Sequence, residues 1–279
     1  MNILPTRPLG RTGFEVSLFT LGGVTYNTLD DAEAAAVVHR ALDLGVNYID
    51  TAHGYKESER KLGPVVAERR DEVFLATKST ARDADGMAAD IEESFRRLRT
   101  DRLDLVQIHD LHTLEQLTQI TASGGALEAI ERFREAGRVR FVGVTGHRYP
   151  SVLAKALEVY PFDTILVALG AVHGAVRDFY HAIHPVAVRR DVGILGMKVM
   201  AYGFLADHAT DAMRYVLSLP DVAAAVIGVD DIAQVEANAK AAAAFEPLEQ
   251  GAADAILATA RGIYEQRRDK AWFIHLDAE

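Results

Sequence analysis

The sequence predicts an α/β chain closed into a (β/α)8 barrel, and three observations predict it. Short apolar runs, eight in all, alternate with helical stretches from about residue 17 onward. The runs are mostly apolar rather than strictly alternating, as a parallel sheet covered on both faces requires. The polar residues of chemical character fall at the carboxyl ends of those runs, and no G-x-G-x-x-G follows the first, which favours a closed barrel over an open doubly wound sheet.

The chain opens with "MNILPTRPLGRTGFEV" (1–16), in which "GRTG" marks a turn between two apolar pieces, so a small hairpin plugging one end of the barrel is expected. The strand candidates follow as "LFTLGG", "VNYIDTA", "VFLATKS", "LDLVQIH", "VRFVGVTG", "DTILVALG", "GILGMKV" and "AAAVIGV". Helix candidates lie between them, such as "DAEAAAVVHRALDLG" and "GMAADIEESFRRLR". Asp30 and Ser58 are placed to cap two of these helices, and Gly45 and Gly137 to end two. After Pro247, "QGAADAILATARGIYEQRR" reads as one extra helix, followed by a tail with Trp272 and Phe273. No linker, low-complexity run or repeat other than the β/α unit interrupts this order, so one domain over residues 1–279 is expected.

Composition narrows the function classes. Hydrophobic residues at 49% and charged residues at 25% describe a globular chain with a large core. A net charge of −10 with only short basic runs argues against a phosphate-backbone binder, so no nucleic-acid partner is expected. With no cysteine there is no disulfide, thiolate metal site or thiol nucleophile. The first twenty residues carry Arg7, Arg11 and Glu15 and no apolar run of signal or membrane length, so a cytoplasmic enzyme without a membrane partner is the expectation. No motif bears on oligomeric state.

Four polar side chains stand at or just beyond the ends of consecutive strand runs: Asp50 ends the second, Lys78 the third and His109 the fourth, with Tyr55 in the loop after the second. A barrel sets neighbouring carboxyl ends side by side, so these groups can share one pocket. A phenol with a pKa near ~10 transfers protons poorly at neutral pH, and an adjacent ammonium pulls it toward a working range. Lys78 can supply that charge, Asp50 can keep Lys78 protonated, and His109 can orient a substrate oxygen or relay the proton.

"DTAHGYKESE", "LATKS" and "LVQIHD", in this order on these strands, resemble the aldo-keto reductase family of NAD(P)H-dependent carbonyl reductases. The resemblance continues through "RPLGRTG", "LGG", "AGRVRFVGVTGH" and "VIGVDDIAQVEAN" and so runs over nearly the full chain. It implies a TIM barrel and a proton-transfer tetrad of Asp50, Tyr55, Lys78 and His109. It also implies that a nicotinamide cofactor crosses the barrel mouth and exchanges hydride with a small carbonyl or alcohol substrate. The cofactor contacts it suggests are Gly23, Val24, Asp50, Thr145, Gly146, Met197, Lys198, Gly203, Leu205, Gly228, Gln234 and Asn238.

Three departures from the family pattern bear on that cofactor. The fifth strand ends in Thr145 and Gly146 where a Ser-Asn pair usually binds the carboxamide, and the sixth offers Leu166 or Val167 where a glutamine is usual. The seventh puts Lys198 at the place of a stacking tyrosine; a cation there would favour the reduced cofactor, or it turns to the pyrophosphate. After the eighth, Asp230 and Asp231 stand where basic residues often grip a 2′-phosphate, and Gln234 takes a position that is often arginine. Family habit points to NADP(H), and the two aspartates leave NAD(H) open.

Rival assignments are weaker. "HDLH" (109–112) brings two histidines and Asp110 together, but alternate strand residues point to opposite faces and no third histidine is near, so no metal is expected. His181 and His184 are taken as surface or packing residues, "SGG" (123–125) as the opening of a helix, and His53 as a loop residue. Two other functions compete: a cofactor-binding sensor or regulatory barrel with little turnover, and a lyase using Lys78 as a Schiff-base nucleophile. The segments "TYN" (25–27), "LHTLEQL" (111–117) and "AVHGAV" (171–176) are expected among the loops that wall the substrate pocket.

Overall fold

The structure, a computed structural model, describes residues 4–270 together with 273 and 276, so Trp272 and the first three residues of the hairpin segment lie outside the described residues. Eight parallel strands close on one another in chain order, each bonded to the next and the last to the first: β3 (Phe19–Gly22), β4 (Tyr48–Asp50), β5 (Phe74–Ser79), β6 (Leu103–Ile108), β7 (Val139–Gly146), β8 (Thr164–Ala168), β9 (Gly193–Met197) and β10 (Val222–Gly228). The expected (β/α)8 barrel is present.

The hairpin ahead of it pairs β1 (Thr6–Pro8) with β2 (Glu15–Ser17) in antiparallel register. It plugs the end at which the strands begin. Leu9 and Val16 are fully buried there, and the Phe14 ring stands 4.6 Å from that of Phe74, the first residue of β5. Gly10 turns the hairpin at φ 49°, and a Cβ on it would lie 2.3 Å from the Gly193 nitrogen, so only glycine fits.

The outer layer follows from 3.6-residue periodicity. α1 (Asp31–Asp43) buries Ala34, Val37, Val38, Ala41 and Leu42, one stripe laid against the sheet. Its Asp30 and Glu33 form a reciprocal capping box, and Gly45 follows at φ 93°. α3 (Ala84–Leu98) buries Met87, Ile91, Phe95 and Leu98 in the same way, and α5 (Ala126–Glu135) is followed by Gly137 at φ 72°. Gly125 occupies the cap position of α5, as expected of the "SGG" segment.

Ser58 does not cap. It lies inside α2 (Ser58–Arg69), and its hydroxyl meets that of Thr51 at 2.8 Å, bracing the loop between β4 and the helix. Two expected pocket loops carry short helices, α4 (Leu114–Thr121) and α7 (Ala171–Val176). The remaining helices are α6 (Pro150–Val159), α8 (Phe179–Arg189), α9 (Ala209–Ser218), α10 (Ile232–Ala243) and the extra α11 (Gln250–Arg267). Among the described residues no helix is long and apolar enough to cross a membrane.

Two apolar layers result. One lies between helices and sheet; the other fills the barrel with Tyr48, Phe74, Ala76, Leu105, Leu166 and Leu195 over the hairpin plug. The plug closes the strand-start end, so the opposite mouth, where the strands end, is the one left for chemistry.

Candidate active site

The tetrad converges because of strand stagger. Asp50 pairs in register with Ala76, and Lys78, two residues further along β5, pairs with Gln107 of β6. Residues two apart on a strand share a face, so Asp50, Lys78, Gln107 and His109 all point into the mouth at rising levels. The Lys78 ammonium reaches down to Asp50 Oδ2 at 2.5 Å and donates also to the Thr51 carbonyl at 2.6 Å. Gln107 Nε2 donates to the other carboxylate oxygen, Asp50 Oδ1, at 2.9 Å.

Tyr55 is carried back over this pair by a compact loop. His53 N–H donates to the Lys78 carbonyl, Tyr55 N–H to Ala52, and Ser58 N–H to Tyr55, each within 2.9 Å. The Lys78 Nζ lies 4.8 Å from the centre of the Tyr55 ring, and the His109 ring meets the Tyr55 ring edge-on at 5.6 Å between centroids.

Burial sets the protonation states. It works against the Lys78 charge, but Asp50 and the Tyr55 phenol outweigh it and hold the ammonium above the ordinary lysine range. Burial pushes Asp50 up, while Lys78 and the Gln107 bond offset part of that rise. It likewise raises the Tyr55 phenol; Lys78 pulls it down as the sequence led us to expect, but not far enough to win. His109 is driven to about 3 by burial and by the charges of Lys78, Arg82 and Lys198, so it is a neutral imidazole at physiological pH.

Gln107 and Arg82 are contributors that the sequence reading missed. Gln107 stands two positions before His109 on the inward face, which was the available signal. Arg82 Nη2 donates to the carbonyls of both His109 and Asp110, at 2.8 and 3.0 Å, and so clamps the strand end where Asp110 takes a left-handed φ of 52°. His53 stands apart from the tetrad: its Nε2 is 3.3 Å from Asp90 Oδ1 of α3. In "HDLH", the His112 ring is bonded to the Asp110 carbonyl at 2.8 Å. No group of three or more histidine, cysteine or acidic side chains among the described residues is arranged to hold a metal ion.

The expected cofactor contacts spread around the same rim. Thr145 is buried, its Oγ1 accepting the Asp110 N–H at 3.2 Å, with Gly146 beside it. Gly23, Met197, Leu205 and Asn238 are buried, the Leu205 side chain fully, and Gly228 is half-buried against Thr25. Val24, Tyr202 and Ile232 follow the adjacent strands β3, β9 and β10 and expose 51%, 40% and 41% of their surface. Beside them Gly203 leaves open space where a Cβ would be. Exposed apolar side chains at these three strand ends are of the kind that a flat, partly apolar cofactor covers.

Comparison with known proteins bears on what such a mouth does. The model of the Aldo/keto reductase family matches residues 18–213, well over half of the chain. The chain belongs to the aldo/keto reductase family. Aldo/keto reductases are NAD(P)H-dependent oxidoreductases of small carbonyl compounds, and this chain is such an oxidoreductase. It is similar to L-galactose dehydrogenase of Arabidopsis thaliana, 24% identical across 98% of this chain and 98% of that protein. It is also similar to D-threo-aldose 1-dehydrogenase of a Pseudomonas species, 29% identical across 66% of this chain and 64% of that one. Among solved structures, an aldo-keto reductase of Bacillus halodurans in its holo form superposes with a TM-score of 0.78, covering 91% of this chain and 96% of its own at 23% identity. That superposition speaks for the barrel fold.

Proposed function

We propose that the chain, as one barrel domain over residues 1–279, interconverts an aldehyde or ketone and the corresponding alcohol with Tyr55 as the general acid and base. The observation that carries this reading is the 2.5 Å contact between Lys78 and Asp50 beneath the Tyr55 ring. The bound nicotinamide supplies the hydride. Tyr55, raised by burial, keeps its proton until negative charge grows on the carbonyl oxygen, then donates it. Lys78 stabilises the phenolate left behind, and Asp50, steadied by Gln107, holds Lys78 protonated. Neutral His109 can donate a hydrogen bond that orients the carbonyl oxygen without competing as an acid. A charged, ion-paired Lys78 also argues against an amine nucleophile and hence against the Schiff-base alternative.

The residues that would hold the cofactor are Gly23, Val24, Asp50, Thr145, Gly146, Met197, Gly203, Leu205, Gly228, Gln234 and Asn238, and the ammonium of Lys198, which the family resemblance also put there, is left to the substrate side of the mouth. For its adenosine end we favour NAD(H) over the NADP(H) of family habit. Asp231 caps α10 by accepting the Gln234 N–H at 2.8 Å, and the Gln234 side chain accepts the Asp230 N–H at 3.1 Å. The helix start is thus occupied by the chain's own acids, which repel a 2′-phosphate. A large turnover advantage for NADPH overturns that preference.

Tyr55→Phe keeps the ring and removes the proton. The expected result is a fall of about 10²- to 10⁴-fold in kcat with cofactor affinity retained. Full carbonyl reductase activity in that variant rules out Tyr55 as the acid.

A further inference from the structure

The rim holds a cation that the tetrad does not use. Lys198 leaves the end of β9 at a left-handed φ of 62°, and Ala201 and Tyr202 in the same turn share that conformation at 46° and 61°. Left-handed non-glycine residues persist where the surroundings impose them, and they gather at ligand sites. Gly170 makes room for the turn, since a Cβ on it would lie 2.1 Å from the Lys198 carbonyl.

The turn sets the half-buried ammonium over the Tyr202 ring, 4.4 Å from its centre. Among the described residues it has no ion-pair or hydrogen-bond partner. Asp110, the acid near enough to be felt, is turned away: its carboxylate lies 3.5 Å from His147 and 3.7 Å from His112. A desolvated charge without a counter-charge is costly, so the site is incomplete as it stands.

What surrounds Lys198 indicates what completes it. Lys78 from β5 and Asp110 from the loop after β6 both act on it electrostatically, it acts in turn on His109, and Tyr202 lies beneath. Its charge is therefore felt at His109, beside which a carbonyl would meet Tyr55. Arg82 adds positive potential from the opposite wall, below His109. With Lys78 balanced by Asp50, the mouth sets Arg82 and Lys198 against Asp110 alone, a net positive spot on a chain of net charge −10 that attracts anions.

We propose that Lys198 is the counter-ion for an anionic group of the substrate, so that the preferred carbonyl compounds carry a carboxylate near the carbonyl. This rests on the carbonyl-reducing function proposed above. Burial and Lys78 bring the Lys198 ammonium down to about 8, so it is charged at neutral pH and able to bind such an anion.

The test compares meta-carboxybenzaldehyde with its methyl ester, two aldehydes that differ in one charge. The wild type is expected to favour the acid in kcat/KM, and Lys198→Met to reduce the acid-to-ester ratio by about ten- to a hundredfold, the range for a lost bond to a charged group. Lys198→Arg, which keeps the charge, should retain most of the preference. In the wild type the preference should also fade as pH rises through about 8. Titration with NADH and NADPH in parallel separates the sources: equal losses on both aldehydes with weakened cofactor affinity would assign the ammonium to the cofactor's phosphates and overturn the proposal. An unchanged ratio in Lys198→Met also overturns it while leaving the reductase function standing. A wild type that reduces neither aldehyde nor any other carbonyl removes that function itself.

Discussion

Replacing Asp50 by asparagine isolates the charge pair on which the site is built. Lys78 is buried with 2% of its surface exposed, and its ammonium meets Asp50, the Thr51 carbonyl and the Tyr55 side chain. Asparagine keeps the shape and can still accept the Gln107 bond, but it leaves a buried cation without its counter-charge. Breaking one side of such a pair costs about 3–5 kcal/mol.

Deprotonation limits the loss, because neutralising a lysine of ordinary pKa near ~10.4 at pH 7 costs about 4.6 kcal/mol. If the variant takes that route, its native state binds one proton fewer than its unfolded chain. Its stability then rises with pH by about 1.4 kcal/mol per unit up to the unfolded lysine value. In the wild type Lys78 contributes no such slope between pH 7 and 9, because it is raised when folded and charged in both states, its contribution being lost only above the unfolded value; Lys198, lowered to about 8, titrates in both proteins and cancels in their difference. Equilibrium urea unfolding of both proteins at pH 7 and 9 is the assay. The deficit of the variant should shrink from roughly 4–5 to about 2 kcal/mol. A deficit below ~1 kcal/mol at pH 7, or one that ignores pH, refutes a charged Lys78 held by Asp50.

Other perturbations probe separate parts of the molecule. His109, lowered to about 3 in the fold, makes the native state lose about 1.4 kcal/mol per pH unit as pH falls from the unfolded value near ~6.5 toward about 3. His109→Gln should therefore remove most of the stability difference between pH 7 and 5, and urea midpoints that keep the wild-type slope contradict it. Gln107→Leu removes the bond to Asp50 Oδ1 and should cost about 1–3 kcal/mol. The same variant should lower kcat more than it raises KM; thermal melts and steady-state kinetics read the two effects. Gly10→Ala forces a side chain into a left-handed turn 2.3 Å from the Gly193 nitrogen, so it should lower stability by at least about 1 kcal/mol in urea unfolding, while Gly13→Ala, with nothing within 4 Å, should cost less. Asp231→Ala uncaps α10, with an expected loss of about 1 kcal/mol in the same assay. If the two aspartates set cofactor choice, the variant also turns over NADPH relatively better than the parent.

Local patterns in the chain were enough to foresee the barrel and the meeting of Asp50, Tyr55, Lys78 and His109 at its mouth. Both rest on patterns local to the chain: apolar runs of strand length, helices with a 3.6-residue stripe, and polar residues at strand ends that a closed parallel barrel must bring together. The "GRTG" turn likewise needed only its own residues to announce the hairpin that plugs one end. Local pattern failed where a partner from elsewhere decides. Ser58 has the chemistry of a helix cap, yet Thr51 takes its hydroxyl. Gln107 looks like one polar residue in an apolar strand until stagger sets it beside Asp50, 57 positions away. Tyr55 was expected to be tuned downward by Lys78, but the depth of the loop lets burial prevail. Lys198 reads as a substitution for an aromatic residue; only the folded turn shows its ammonium resting on Tyr202 with no acid bonded to it among the described residues. Composition and spacing fix which groups can meet, whereas desolvation and the distances between them, which exist only once strands from the whole chain have closed the barrel, fix what those groups can do.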